Sequence, residues 1–477
     1  MSDTSHPTPE GDPDLTAMAY QPSRPLFSGN AFRRRRGSGF EAAKRLIFLT
    51  ILVLLMLIPL NMVEGVVQER AERKLEVETE IGAQWGPAQT VGGPILVIPY
   101  DVTETRSKSD GSNENRLVRH YASFLPAQTQ IAAKAKVEER YKSIYRVLVY
   151  GTDIHLNGKF AAPDFARWNI DPTRIHWNEA SIAVILPGAH ALRSIAISID
   201  QQPLAIDAGL LPQHPVGTGL HGDLSLTGPR ELAFDITLAL NGQGALSLLP
   251  LSGQSEITVS SDWPHPDFIG TPLPVSHDIS TDGFTGSWSI NHLATGTPMA
   301  WRDSDFRLDP STLTAVGVSL VEPGDVHQQT DRIVKYGILV VGLTFGTIFI
   351  IGLLKSQRVH LVQYLLIGMS IALFYLLLLS LAEQMAFAWA YLIASAVDIA
   401  IVAWYAGTTI RRLLGWLTGL LLGGVHLYLY VLLQMESYAL LAGTIGLIVI
   451  LLLVMIATRK VDWYAIGEEA NEPAPAR

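Results

Sequence analysis

No cysteine occurs in the 477 residues. That absence excludes disulfides, iron–sulfur clusters, cysteine zinc sites and thiol nucleophiles. Charge is scarce as well: Asp, Glu, Lys and Arg make up 17% of the chain, against about 25% in soluble domains. A basic excess is missing, since 35 Lys and Arg against 44 Asp and Glu leave a formal charge of −9. No nucleic-acid partner is expected from that balance. The chain also lacks His-Glu-x-x-His, His-x-x-x-His and Gly-x-Ser-x-Gly, so no local motif supports a zinc enzyme or a serine hydrolase. What is plentiful is apolar: 48% of residues, clustered rather than spread.

The clusters are long enough to cross a bilayer. Residues 1–45 form a polar tail, disordered by composition over 1–30, that ends in Arg33, Arg34, Arg35, Arg36, Lys44 and Arg45. Residues 46–63 then run for 18 positions without a charge, about 27 Å at 1.5 Å per residue. No small-residue cleavage pattern follows, so this reads as a retained anchor rather than a signal peptide. Further runs cover 336–354, 361–382, 384–410, 413–435 and 437–458, broken only by Asp398. The expected fold is therefore a membrane α-helical protein of six transmembrane helices, the last five forming a bundle over 333–458 before a short tail, 459–477. Cations flank alternate loops: Lys355 and Arg358, Arg411 and Arg412, Arg459 and Lys460. The other two short loops carry Glu383 and Glu436. The positive-inside rule then places both termini in the cytoplasm and residues 64–332 outside.

Residues 64–332 have the composition of a soluble domain. A charged helix over 69–81 leads out of the membrane. Beyond Gly92, Gly93 and Pro94 the apolar period becomes two, over 95–100, 129–137, 180–186, 231–240 and 255–261. Gly, Pro, Asn and Asp clusters separate these runs, the signature of an antiparallel sandwich or barrel. A large β-rich periplasmic domain inserted between helices 1 and 2 is the expectation.

Several blocks resemble the CreD inner-membrane proteins, a cell envelope integrity family. They are Glu69-Arg70, Trp85 to Gln89 and Gly93 to Tyr100; Ser260 to Phe268; Asp331-Arg332 with Lys335-Tyr336-Gly337; Val359 to Gly368 with Leu373 to Leu381; and Thr458 to Tyr464. The chain departs from the family pattern at Gly352, where that pattern has an acidic residue. The resemblance implies an inner-membrane, envelope-maintenance protein linked to a two-component stress response, and no enzyme activity. It implies the lipid bilayer and periplasmic envelope or membrane proteins as partners.

Gly217-Thr-Gly219-Leu-His-Gly222 fits a dinucleotide fingerprint in letters only, because the alternating Asp223 to Thr227 follows where a helix would have to begin. Ten of the thirteen His fall between 64 and 332, but without ligand spacing, so no metal and no cofactor is expected. Trp263 and Trp288, among Pro, Gly and alternating residues, could stack on cell-wall sugars or simply pack at sheet edges. Asp398 is the sharpest residue, since an Asp at the bilayer centre costs about 2.5–3.5 kcal/mol on insertion scales and needs a partner or water. His426 is the other deep titratable group. Counting residues puts Asp398 roughly 12 Å deep and His426 roughly 20 Å deep, so a direct pair requires helix tilt or a bridging water. Two functions follow: a non-enzymatic envelope protein whose outer domain binds or scaffolds envelope components, or a membrane-embedded carrier or enzyme using Asp398 and His426.

Overall fold

The structure, a computed structural model, describes residues 38–107, 113–209, 218–309, 313–322, 326–354, 359–409, 412–435 and 439–459. The tails, Gly217 and the loop residues Lys355, Arg358, Arg411, Glu436 and Lys460 lie outside them. Helix α1 (Ser38–Leu55) runs into α2 (Leu57–Trp85). Only Met56 separates them, and its N–H still reaches the carbonyls of Leu52 and Val53. The first half of α2 is apolar and the second half charged, so one rod serves two solvents. It ends at Gly86, where φ is 146° and an added Cβ would sit 2.6 Å from the carbonyl oxygen of Asn241. Only glycine tolerates both.

Seventeen strands follow among the described residues. Two long hairpins come first: β1 (Gln89–Ser107) with β2 (Asn113–Phe124), and β3 (Gln128–Lys142) with β4 (Tyr145–Phe160). Then come β5 (Ala180–Ile185), β6 (Leu192–Ile199), β7 (Gln202–Leu204), β8 (Asp207–Ala208) and β9 (Gly219–Leu224). After them run β10 (Leu232–Gln243), β11 (Ala245–Leu249), β12 (Gln254–Ser261), β13 (Pro266–Gly270), β14 (Ser276–Ser280) and β15 (Gly283–Asn291). The single-turn helix α3 (His292–Thr295), β16 (Ala300–Arg302) and β17 (Val316–Leu320) complete the unit.

They form two sheets. One is ordered β13-β17-β11-β1-β5-β9-β8, with β2 bridging β1 and β16; the other is β14-β15-β12-β3-β4-β10-β6-β7. Two pairings are parallel, β1 with β11 and β3 with β12, and the others are antiparallel. The expected sandwich is thus present, though not purely antiparallel. Alternation builds it: Leu232, Phe234, Ile236, Leu238 and Leu240 of β10 all point inward and are buried. One continuous core draws on both sheets, so residues 89–320 make a single β unit. Strand β1 is apolar at successive positions because both its faces are covered. Leu96, Ile98 and Tyr100 enter the sandwich core, while Ile95 and Val97 enter a smaller cluster with Trp301 and Leu308.

The remaining helices are α4 (Val326–Lys335), α5 (Gly337–Leu354), α6 (Leu361–Ala382), α7 (Phe387–Thr409), α8 (Arg412–Gln434) and α9 (Ala439–Thr458). Among the described residues four helical stretches are long and apolar enough to cross a membrane: Ile47–Trp85, Leu361–Ala382, Phe387–Thr409 and Gly415–Gln434. Gly337–Ile350 and Leu441–Ile456 are shorter apolar helices. The bundle core contains Leu60, Val63 and Val67 of α2 beside Ile333 and Val334 of α4, so the outgoing and returning segments pack together.

The β unit is fastened to that pair. Val77 of α2 packs with Tyr145, Val147 and Val149 on the outer face of β4, and Trp85 Nε1 donates to the carbonyl of Tyr150 at 3.3 Å. Glu322, two residues past β17, accepts from Lys74 of α2 at 3.0 Å and from Arg146 of β4 at 2.6 Å. Arg70 of α2 lies 3.8 Å from Glu383, in the turn between α6 and α7.

Candidate functional site

Helices α6, α7 and α8 owe their apolar length to long Leu, Ile, Ala and Val runs, and each places one polar group at a common point. His360 begins α6 with a capping box, accepting from the N–H of Val362 while Gln363 accepts from the N–H of His360. Deeper in α6, Ser370 Oγ donates to Asp398 Oδ1 at 2.7 Å. From α8, His426 Nε2 lies 3.1 Å from Asp398 Oδ2, and each side chain is 2% exposed. The residue count had separated them by about 8 Å in depth; the structure instead brings them into direct contact.

Aromatic groups seat the histidine. Its ring centroid is 4.5 Å from that of Phe374, and the Tyr391 hydroxyl donates to the His426 carbonyl at 2.7 Å. His426 Nδ1 has no hydrogen-bond partner among the described residues. A proton on Nδ1 would be a buried donor with nowhere to go, which costs about 1–3 kcal/mol. Of the two ring nitrogens, Nε2 is the one placed to share a proton with Asp398. In the sequence Tyr391 stands out only as part of Ala390-Tyr391-Leu392, a stretch that resembles the family, and Ser370 is marked by nothing but a hydroxyl midway along an apolar run.

Asp398 and Ser370 also lie at the floor of a groove of about 630 Å³ between α6 and α7. Leu373, Phe374, Trp404 and Tyr405 form its walls, and Leu373 and Trp404 are exposed on the outer surface of the bundle.

The two tryptophans do not join this site or each other. Trp288 is 2% exposed within the sandwich core, 5.8 Å from Phe268 in a T-shaped contact, so burial removes it as a sugar-stacking surface. Trp263 is half-buried against the same core, and its Nε1 donates to the Val321 carbonyl at 3.0 Å. Gly219, His221 and Gly222 lie in strand β9 rather than in a glycine-rich turn or at a helix start, and the strand ends at Leu224, before the alternation of Asp223 to Thr227 is complete.

Polar chemistry on the sandwich surface gathers at β1 and β2. His176 Nε2 is 2.9 Å from Asp101, Arg119 reaches Glu179 at 2.7 Å, and His120 bridges Glu104 and Asp303 at 3.0 and 3.2 Å. The bond from His176 holds the Asp101 carboxyl below its usual range, while burial pushes the Tyr100 hydroxyl up to about 12. Among the described residues no group of three or more His, Asp and Glu side chains is arranged to hold a metal ion.

Comparison with known proteins agrees with this architecture. The family model described as Inner membrane protein CreD matches residues 41–464. Inner membrane protein CreD of Escherichia coli (strain K12) is 33% identical over 434 residues, covering 87% of this chain and 92% of the relative. The match takes in the outgoing rod, the whole sandwich and the helices that carry Ser370, Asp398 and His426, and the chain belongs to the CreD family of inner membrane proteins.

Proposed function

We propose that this protein is a non-enzymatic envelope-integrity component whose sandwich stands in the periplasm, binds or scaffolds an envelope component, and works within a two-component stress response. Six spans carry it, with both termini in the cytoplasm; the 18 residues of α5 and 20 of α9 support the two shorter crossings. The observation that carries this reading is the fastening of the β unit. Glu322 is shared between Lys74 of the outgoing rod and Arg146 of the sandwich, so a force on the sheets reaches the bundle. Edge strand β14 is exposed along its length, with Val275 and Ile279 uncovered. Such an edge can pair with an extended segment of a partner. Photoreactive residues at Val275 and Ile279 in intact cells, followed by mass spectrometry, test it. Capture of a defined envelope protein or wall fragment is expected, and capture of bulk lipid alone would end the proposal.

A second reading, an intramembrane carrier or ligand site, is favoured by one observation: Asp398 is buried with His426 and Ser370 beside an outward-opening groove. Asp398→Asn, at normal membrane abundance, would then abolish envelope function.

A further inference from the structure

The intramembrane site has an unbalanced charge. Asp398 accepts from Ser370 on one oxygen and from His426 on the other, and neither donor is a cation when the imidazole is neutral. A carboxylate has about four lone-pair sites, so two remain open. The polar groups bonded to it are Ser370 from α6 and His426 from α8. Helices α5, α6, α7 and α9 contain no Lys or Arg. Arg412, the first residue of α8, is 14 positions from His426, about 21 Å along the axis. No fixed cation on these helices can therefore neutralise an ionised Asp398. Asp398 makes no ion pair with a Lys or Arg among the described residues, so its carboxylate is open to a cation that comes from outside.

The groove supplies the route and the shape. Asp398 and Ser370 floor it, the aromatic faces of Phe374, Trp404 and Tyr405 wall it, and its volume is in the range of small-molecule pockets. A free metal ion would find a single carboxylate, with no group of three or more His, Asp and Glu side chains to complete its shell among the described residues. An amine or onium ion carried on an apolar body would place its charge against the carboxylate and against the ring faces, which attract cations. Its body would meet the Leu and aromatic side chains that line the groove.

We propose that the groove between α6 and α7 binds a lipophilic monocation, with its charged group held by Asp398 in place of a proton. The inference rests on the second reading above and names its ligand class. Binding and protonation are alternatives at one carboxylate: the cation enters as the proton leaves to water, so net charge at the site is conserved. Ser370 and His426 are positioning residues that fix the carboxylate.

Tetraphenylphosphonium binding to the full-length protein in lipid nanodiscs tests this, with tetraphenylborate as a control of like shape and opposite charge. Saturable phosphonium binding is expected, with no saturable binding of the borate. Asp398→Asn should weaken binding at least tenfold, and so should Leu373→Trp, which fills the groove mouth and leaves the polar pair intact; unchanged thermal unfolding of the second variant guards against misfolding. Equal affinity of native and Asp398→Asn protein for the phosphonium, or equal binding of the borate, would overturn the proposal. If Asp398→Asn abolished function in cells yet bound phosphonium like the native protein, the cation would be discarded and the intramembrane site kept.

Discussion

Arg146 on strand β4 donates to Glu322 at 2.6 Å, across 176 residues of chain. The carboxylate sits where the last strand gives way to the returning helix, and Lys74 of α2 holds it from the other side. All three side chains are at most a third exposed, so water screens the cluster less than it would a surface pair.

Glu322→Gln keeps the shape and removes the charge from this cluster. It should cost about 1–3 kcal/mol locally, because two part-buried cations lose a charged acceptor, Arg146 keeping Glu139 at 2.9 Å. Hydrogen exchange should rise several-fold over residues 66–85 and 326–335, and far less in the sandwich interior. Unchanged exchange in both segments would show that the clamp does not couple them.

His426→Ala should destabilise the bundle more than Asp398→Asn. The first leaves Asp398 with Ser370 alone, a loss of about 1–3 kcal/mol for the unmade hydrogen bond, and opens a cavity beside Phe374 that adds to it. The second keeps an acceptor for His426 and a donor for Ser370. Thermal unfolding of the detergent-solubilised protein checks the order, and the reverse order would mean that the imidazole is not the carboxylate's main support.

Acid should weaken the outer domain through Asp101. Its folded-state pKa lies below the unfolded value of about 3.9, chiefly because His176 hydrogen-bonds the carboxylate. The stabilisation is therefore present above that value and is lost as pH falls through the lower, folded-state value. Asp101→Asn should reduce stability at pH 7 and converge on the native protein below about pH 4. Urea midpoints followed by tryptophan fluorescence at pH 7 and pH 3 measure this; a gap of equal size at both would assign the effect elsewhere.

Gly415 of α8 lies against α7 so closely that an added Cβ would be 2.6 Å from the Gly407 Cα and 2.5 Å from the Ala403 carbonyl oxygen. Small residues allow such approach between membrane helices. Gly415→Val should force the pair apart at a cost of about 1–3 kcal/mol. A lower melting temperature together with loss of phosphonium binding is expected, since α7 and α8 carry Asp398 and His426. A native melting curve would mean the contact is not tight.

Topology has its own check. Alkaline phosphatase joined after residue 200 should be active and joined after residue 464 inactive, from the alternation of charge between short loops. The opposite pair of activities would invert the orientation.

Local patterns were readable from the residues; distant pairings were not. Alternation marked β10 by itself, and the same parity in Phe284, Trp288 and Ile290 could have shown that Trp288 faces inward with its neighbours. Nothing local marks the parallel pairing of β1 with β11 or of β3 with β12, because that register is set by partners far away in the chain. Asp398 was identifiable from the cost of burying a charge. Its contact with His426 was misjudged because a rise of 1.5 Å per residue gives depth only for helices upright and level with each other. Ser370 was invisible for another reason: a serine in an apolar helix bonds its own preceding carbonyls as readily as a neighbour.

The chain leaves along α2 and comes back along α4, packed against the same helix. Mechanically that gives the sandwich one foot instead of two. Stretching or thinning of the surrounding bilayer has no second foothold to pull on, so tension in the membrane plane does not distort the sheets. A sideways load on β14 or any other far edge instead arrives at the base as a bending moment, concentrated on Lys74, Arg146 and Glu322.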